Sequence, residues 1–303
     1  MTEQLKVLDL FSGIGGFTLG LEKNPLFKTQ MFCEIEPHCI KVLNKNYPDI
    51  PINTDIKKLN IDEGEYDVMC GGFPCQDISI AGKNAGITGA RSGLWFEYHR
   101  LIKQGRPKYV IIENVSALLS RGLSTVLQNL AEVGYDATWT TYDTQFFGLP
   151  HRRRRVYIVG VRDGIPSESD IFQFAGRDTA QSGYKMEIVK QGFEWHFAEK
   201  TTGRDVAYYT RQRSDQFAEC GVCSTLMKRD YKDFTDVILE DGYIRKVTPT
   251  ERMRLQGIPE DWYDNCGLTV QQQYSVPGMS VPVVHHIADL LADFHVNRDK
   301  HEQ

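Results

Sequence analysis

Through the first half of the chain, short apolar runs alternate with longer amphipathic stretches. The runs lie at residues 6–11, 29–34, 66–71, 109–113, 137–142 and 155–161. Continuous apolar runs of this length, bounded by turn-forming residues, mark strands buried on both faces. Between them, residues 37–47, 94–104 and 116–133 carry the periodicity of amphipathic helices. This alternation predicts an α/β fold built on a doubly wound, Rossmann-like sheet with helices on both faces. Ligands of such sheets sit beyond the carboxyl ends of the strands. The residues that follow each strand are therefore the candidates for chemistry.

The rhythm stops near Asp163. From there to Ile244 glycines, aromatics and charges mix without a clear period, which predicts a second, smaller domain with irregular or β-rich structure. Helical patterning returns at 248–256, Pro277 and Gly278 break the chain, and 281–294 reads as a final amphipathic helix. The resulting division assigns 1–165 plus 278–303 to the first domain and 166–277 to the second.

Composition adds limits. The 303 residues are 41% hydrophobic and 25% charged, an ordinary soluble make-up with enough apolar matter for a core. No run has the length of a membrane span. A strand-like run begins at Leu5, where a secretory leader would place its basic and apolar regions. The cysteines (Cys33, Cys39, Cys70, Cys75, Cys220, Cys223 and Cys266) are odd in number and scattered. That speaks against a secreted disulfide framework and for a reducing cytoplasm. Cys220 and Cys223 form a C-x-x-C without a second ordered ligand pair, so no metal is expected. The net charge of −5 argues mildly against a nucleic-acid partner, but its distribution changes the picture. Residues 151–256 carry 19 Lys and Arg against 16 Asp and Glu, whereas the remainder carries 16 against 24. The basic residues cluster at Arg152 to Arg155, at Arg204, Arg211 and Arg213, and at Lys228 and Arg229. A phosphate-facing surface there is compatible with the acidic total.

Five strand ends carry candidate chemistry. After the first, Gly13, Gly15 and Gly16 form a tight turn into a helix, where backbone approaches a ligand closely and a helix N-terminus favours negative groups. The turn serves packing equally well, and its spacing is not G-x-G-x-x-G. Glu34 ends the next strand, about where an acid binds ribose hydroxyls, and Asp55-Ile56 follows a third. This series points to an adenosine ligand without separating NAD from S-adenosylmethionine. After the fourth strand, Pro74 stiffens the turn that presents Cys75. A cysteine there is either a nucleophile of lowered pKa or a buried structural thiol. The glycine-rich stretch that follows, ending in Arg91-Ser92-Gly93-Leu94, reads as a mobile active-site loop. Glu113 closes the next apolar run, where burial favours a protonated carboxyl able to donate to a ring nitrogen. Alternation along the basic run places Arg153 and Arg155 on one face.

Taken in order, these elements resemble the bacterial and phage C5-cytosine-specific DNA methyltransferases. The resemblance runs through DLFSGIGGF (9–17), Glu34, Asp55-Ile56, GGFPCQ (71–76), ENV (113–115), QFFGLPHRRRRVY (145–157), TPTERMRLQGIP (248–259) and QQYSVPGMSV (272–281). It implies S-adenosylmethionine as cofactor, held by Phe11, Gly13, Ile14, Gly16, Glu34, Ile35, Asp55, Ile56, Pro74, Leu94 and Ser280. It implies a double-stranded DNA substrate whose target cytosine is flipped from the stack. Cys75 would attack C6, Glu113 would hold N3 and the exocyclic amine, and Arg153 and Arg155 would hold the base and the neighbouring acids. The segment 163–244 corresponds to the family's variable target-recognition domain. DNA contacts are implied at Gln76, Ser79 and Arg91 and at Thr225, Leu226, Lys228 and Arg229. A monomeric cytoplasmic enzyme is expected, in a system whose restriction endonuclease it does not touch. One departure stands out: Met279 occupies a position where the family usually has Asn, and a thioether cannot make an amide's hydrogen bonds. An RNA-methylating branch of the family is disfavoured by GFPCQ and by the full-length variable region. A catalytically silent relative is disfavoured by Cys75, Glu113, Arg153 and Arg155 together, and a nicotinamide oxidoreductase would leave those four residues unexplained.

Overall fold

The computed structural model describes residues 3–74, 93–162, 171–172, 207–213, 216–220, 222–232, 235–240, 243–276 and 278–301. Cys75, Gln76, Ser79 and Arg91 lie outside the described residues, as does most of the segment 163–206. Seven strands form one sheet: β1 (Leu5–Leu10), β2 (Phe27–Cys33), β3 (Ile52–Asn53), β4 (Val68–Gly71), β5 (Tyr109–Val115), β6 (Tyr135–Asp143) and β7 (Arg154–Arg162). Their order is β3-β2-β1-β4-β5-β7-β6. The first five are parallel, and β7 runs antiparallel to both β5 and β6.

The apolar runs are continuous because each strand feeds two cores, as period-2 geometry requires of a sheet covered on both sides. Leu8, Leu10, Met69, Val110 and Ile112 face one way, against Trp95, Tyr98, Leu101 and Ile102 of α3 (Leu94–Gly105) and Val126 and Leu130 of α5 (Leu123–Glu132). Val7, Val68, Cys70, Tyr109 and Ile111 face the other way, against α1 (Gly16–Leu21) and the last helix, α8 (Val281–His301). A Cβ on Gly20 would meet the Val284 side chain at 2.6 Å, so α1 and α8 are in backbone-close contact that only glycine permits.

The expected helix over 116–133 is divided into α4 (Leu118–Arg121) and α5, with Gly122 ending one and beginning the other. Glycine is the weakest helix former after proline, and its extended φ of 176° breaks the run there. Helix α2 (Pro37–Asn46) starts on proline, whose fixed φ suits the first helical position. The final helix continues past the expected end to His301.

The second expected region contains a four-stranded antiparallel sheet: β8 (Ala207–Arg213), β9 (Gln216–Cys220), β10 (Asp236–Glu240) and β11 (Tyr243–Lys246), in the order β11-β10-β8-β9. Helices α6 (Pro249–Arg254) and α7 (Val270–Ser275) follow. Each opens on a reciprocal capping box, Thr248 with Glu251 and Thr269 with Gln272. The segment 249–276 joins both parts of the molecule. Arg252 reaches one way to Asp230 at 2.7 Å, while Met253, Ile258 and Tyr263 share a core with Ile14, Cys39 and Val42.

His151 sits at this junction, fully buried. The Leu226 amide donates to Nε2 at 3.3 Å, so that nitrogen carries no proton, and Nδ1–H donates to the Leu255 carbonyl at 3.3 Å. The hydrogen-bond pattern therefore demands the neutral ring. Burial, aided by the Arg153 guanidinium, pushes its pKa down to about 3. The unfolded ring takes up a proton below about 6.5 and the folded ring does not, so stability from His151 is complete above that pH and falls as pH drops toward 3. We predict that the melting-temperature advantage of the wild type over His151→Gln shrinks between pH 7 and pH 4. A difference that stays constant across that interval would show that His151 is not held neutral.

Candidate active site

The strand order reverses between β1 and β4. From β1 the chain moves outward through β2 and β3, whereas β4 starts the other half. A crevice opens at such a reversal, at the carboxyl ends of the two central strands. Leu10 pairs with Gly71 there, and a Cβ on Gly71 would lie 2.5 Å from the Leu10 carbonyl. Glycine at this point lets the two strand ends, and the loops leaving them, run side by side.

The loop after β1 is built from left-handed residues: Phe11 has φ 54°, Gly13 56° and Gly15 85°. Phe11 is the unusual member, since a bulky side chain rarely adopts this region. Side chains fix the turn. The Ser12 hydroxyl donates to the Asp9 carbonyl at 2.6 Å, and Cys33 donates its amide to Ser12 Oγ at 3.2 Å. Glu34 accepts the Gly13 amide on one oxygen at 2.6 Å and the Glu36 amide on the other at 2.7 Å. Burial raises the Glu34 pKa, and these amides pull it back. Asp9, wholly buried, accepts from the amide and hydroxyl of Thr18 at 3.3 and 2.8 Å. Burial pushes its carboxyl up to about 7 against that pull.

The loop after β4 is tethered just before Cys75. Asn114 donates Nδ2 to the Phe73 carbonyl at 3.1 Å, and the Phe73 ring lies 5.5 Å from that of Trp95. Glu113 closes the group. Its Oε1 is 3.1 Å from Arg155 Nε and 3.5 Å from Arg153 Nη2, within ion-pair reach but without the alignment of a hydrogen bond. All three side chains are nearly buried. Arg153 also donates to the Gly278 carbonyl, while the intervening Arg154 turns outward to Thr141. Two guanidiniums thus compensate the burial of one carboxylate, partners that an argument from burial alone does not count.

Between these elements lies a cavity of about 150 Å³, part of it open to solvent. Phe11, Gly13, Ile14 and Gly16 line it, as the sequence suggested, together with Ser12 and Phe17 of the same turn. Gly72 and Glu113 form the far wall, and Val276, Gly278 and Met279 a third. Gly72, Val276 and Met279 stand inside motifs already recognised, but only folding shows that they face the cavity. Met279 packs its Cβ where a Cβ on Gly16 would sit, at 2.6 Å, and its sulfur lies 3.9 Å from the Tyr157 hydroxyl. Gly16 makes room for the Cβ that any side chain at 279 carries, and the Tyr157 hydroxyl, donating to the sulfur, suits the thioether.

Other expected site residues fall elsewhere. Ile35 is 68% exposed beside Glu34, an apolar platform open to solvent. Asp55 is half-buried and accepts the Lys57 amide at 3.0 Å, whereas the Ile56 side chain belongs to the core beneath α3. Leu94 packs on that same core and Pro74 is half-buried. Ser280 is fully buried, and its hydroxyl meets no partner. Thr225 donates to the Arg152 carbonyl at 2.6 Å, and Leu226 is buried with Cys223, Ile238 and Val247; the Leu226 side chain is therefore not on a surface. Lys228 and Arg229 lie in a 3-10 turn, their side chains outside the description.

A parallel sheet that reverses order at a glycine turn, with an acid after the second strand, defines a nucleoside-cofactor enzyme of the α/β class. The comparisons narrow this. The chain matches the family described as C-5 cytosine-specific DNA methylase over residues 5–216 and 177–291. It is 33% identical to Type II methyltransferase M1.ScrFI of Lactococcus lactis subsp. cremoris, over 96% of this chain and 79% of that protein. To Type II methyltransferase M.DsaV of Dactylococcopsis salina it is 30% identical, over 96% and 87%. In fold it is similar to the S. pombe Dnmt2 methyltransferase, with a TM-score of 0.70 at 20% identity, covering 96% of this chain and 99% of that one. The chain belongs to the C-5 cytosine-specific DNA methylase family, and it is an S-adenosylmethionine-dependent enzyme of cytosine-5 DNA methylation. The residues present fit that cofactor: Gly13 and Gly16 bring backbone to the cavity wall, and the buried Glu34 carboxylate, hydrogen-bonded to the Gly13 amide, lies beside it.

The geometry around Glu113 yields a direct test. A Cβ on Gly72 would lie 2.8 Å from Glu113 Oε2, so Gly72→Ala must push the carboxylate from its place between the arginines. We predict a fall in methyl transfer of about tenfold to a hundredfold, the cost of displacing a reacting group by about 1 Å, with little change in melting temperature. Unaltered turnover would show that the position of Glu113 does not matter.

Proposed function

We propose that the chain methylates cytosine within a specific sequence of double-stranded DNA, with Cys75 as nucleophile, Glu113 as the group that holds the base, and Arg153 and Arg155 as its supports. The observation that carries this reading is the convergence of both arginines on Glu113, whose side chain lines the cavity with the glycine turn, beside a loop tethered at Phe73 by Asn114. In our reading the segment 166–277 carries target recognition, and 1–165 plus 278–303 carries catalysis and the cofactor. Among the described residues no helix is long and apolar enough to cross a membrane.

Cytosine C5 is a poor nucleophile, and the chemistry must change that. The Cys75 thiolate adds to C6, and a proton from Glu113 reaches N3 as the ring electrons move to C5. Arg153 and Arg155 hold the carboxylate in place as its charge changes. When bound, S-adenosylmethionine supplies an electrophilic methyl group. A base then removes the C5 proton, the C6–S bond breaks with Cys75 leaving as thiolate, N3 returns its proton to Glu113, and the ring regains its conjugation. Since C6 and N3 are inaccessible in a stacked duplex, the base must be flipped out, at a cost of a few kcal/mol.

Fluorine at C5 cannot leave as a cation, so the last elimination fails with 5-fluorocytosine. We predict that DNA carrying this base at the target position traps the enzyme in an adduct stable to denaturing electrophoresis, only with S-adenosylmethionine present. Peptide mapping is expected to place it on Cys75, and Cys75→Ala to abolish it. Absence of an adduct on a site that is methylated in unmodified DNA would refute the covalent route.

Recognition is tested separately. Exchanging residues 163–244 for the matching segment of a relative with another target is expected to move methylation to that target, read by bisulfite sequencing. A hybrid that keeps the original site would place recognition elsewhere.

A further inference from the structure

Trp262 has no part in the scheme above. It lies after α6, on the segment 259–268, and is tied to helix α2: Asn46 donates to its carbonyl at 2.7 Å and Lys45 donates to the carbonyl of Asp261. Its indole meets Tyr47 edge to face, with ring centroids 5.8 Å apart. The indole N–H does something else. It donates to the Ile14 carbonyl, in the middle of the glycine turn, at 2.8 Å across 248 residues of chain.

That carbonyl is a vulnerable one. It belongs to the residue before the N-cap: Gly15 supplies the first helical acceptor, to the Leu19 amide at 2.8 Å, and the Thr18 amide is turned to the Asp9 carboxylate, so the Ile14 carbonyl stands outside the ladder of α1. Gly13 and Gly15 flank Ile14 at positive φ and offer no side chain that would resist a peptide flip. The turn is thus held from inside the sheet by Asp9 and Glu34, and from outside by the indole of Trp262. Ile14 lines the cavity, so the orientation of its peptide shapes the cavity wall.

We propose that Trp262 is a positioning residue for the cofactor turn. It sets the affinity for S-adenosylmethionine through the Ile14 carbonyl without touching the reacting atoms. The inference rests on the reading that this cavity holds the cofactor.

Trp262→Phe keeps an aromatic ring against Tyr47 and removes the donor. Benzothienylalanine at position 262 keeps the bicyclic shape and likewise lacks the N–H, which separates the hydrogen bond from packing. The measurements are the dissociation constant for S-adenosylmethionine by calorimetry without DNA, KM and kcat with DNA, and melting temperature. Both replacements are expected to raise the dissociation constant and KM for the cofactor about five- to tenfold, the ratio given by one lost hydrogen bond of ordinary net strength. The kcat at saturating cofactor is expected to stay within about twofold. Affinity unchanged in either replacement overturns the proposal. Equal losses in kcat and affinity together with a lowered melting temperature also overturn it, since they describe general loosening. A wild-type protein that methylates DNA yet binds no S-adenosylmethionine would overturn the cofactor reading itself, a failure visible before any replacement is made.

Discussion

The close approach of two strand ends governs the architecture. Leu10 and Gly71 meet at the reversal of strand order, and a side chain on Gly71 would strike the Leu10 carbonyl. Because they are in register, the loops that leave them share one crevice, and the end of β5 lies one strand further along. The glycine turn, the Phe73–Pro74 segment and Glu113 are neighbours for that reason alone. Each helix packed on either face then serves to hold this arrangement still. Asp9, Thr18 and Thr29 form a buried polar relay from β1 through α1 to β2, and Tyr98 ties α3 to the carbonyls of Met69 and Ile111.

Electrostatics follow the same layout. The chain is acidic in total, yet behind Glu113, in the cavity wall, two guanidiniums gather on one carboxylate. The surplus of positive charge is held by burial and by the Gly278 carbonyl rather than scattered over a surface. A second buried guanidinium, Arg252, is satisfied differently. Asp230, the carbonyls of Met227 and Tyr274, and the Tyr274 ring surround it. A buried ion pair adds little net stability against an apolar replacement, but breaking one partner is costly. Its geometry fixes how the second sheet meets the rest of the protein.

Most strands of the seven-stranded sheet and the longer helices were legible in the sequence because they obey a local rule: a continuous apolar run is buried on both faces, and a 3.6 period is buried on one; β8 to β11 fall in a segment that read only as irregular or β-rich. That Arg153 and Arg155 share a face was legible in the same way, since alternation puts residues two apart on one side; that the acid between them is Glu113 is shown by the fold. What local rules cannot show is which distant residues complete a wall. Met279 looked like a loss of hydrogen bonding, but in the fold Gly16 makes room for its Cβ and the Tyr157 hydroxyl donates to its sulfur. Leu226 sits in a motif that suggested a surface, yet its side chain fills the core of the second sheet, because the preceding Thr225 is already fastened to Arg152. The split of α4 from α5 turned on a single glycine in a run whose periodicity continues through it.

The contact between Ile14 and Trp262, and the packing of Gly20 on Val284, join opposite ends of the polypeptide. Such distant pairings carry a high cost in loop-closure entropy and come late in folding. On the ribosome, the glycine turn and the strands behind it emerge long before the segment that roofs them, so a nascent chain possesses a sheet without a pocket. The wall formed by Val276, Gly278 and Met279 is the last part of the cavity to be synthesised, so the complete cofactor site forms only after it. From then on, occupancy stabilises the finished molecule and not its precursors, which makes the small molecule a late-stage folding ligand as well as a reagent.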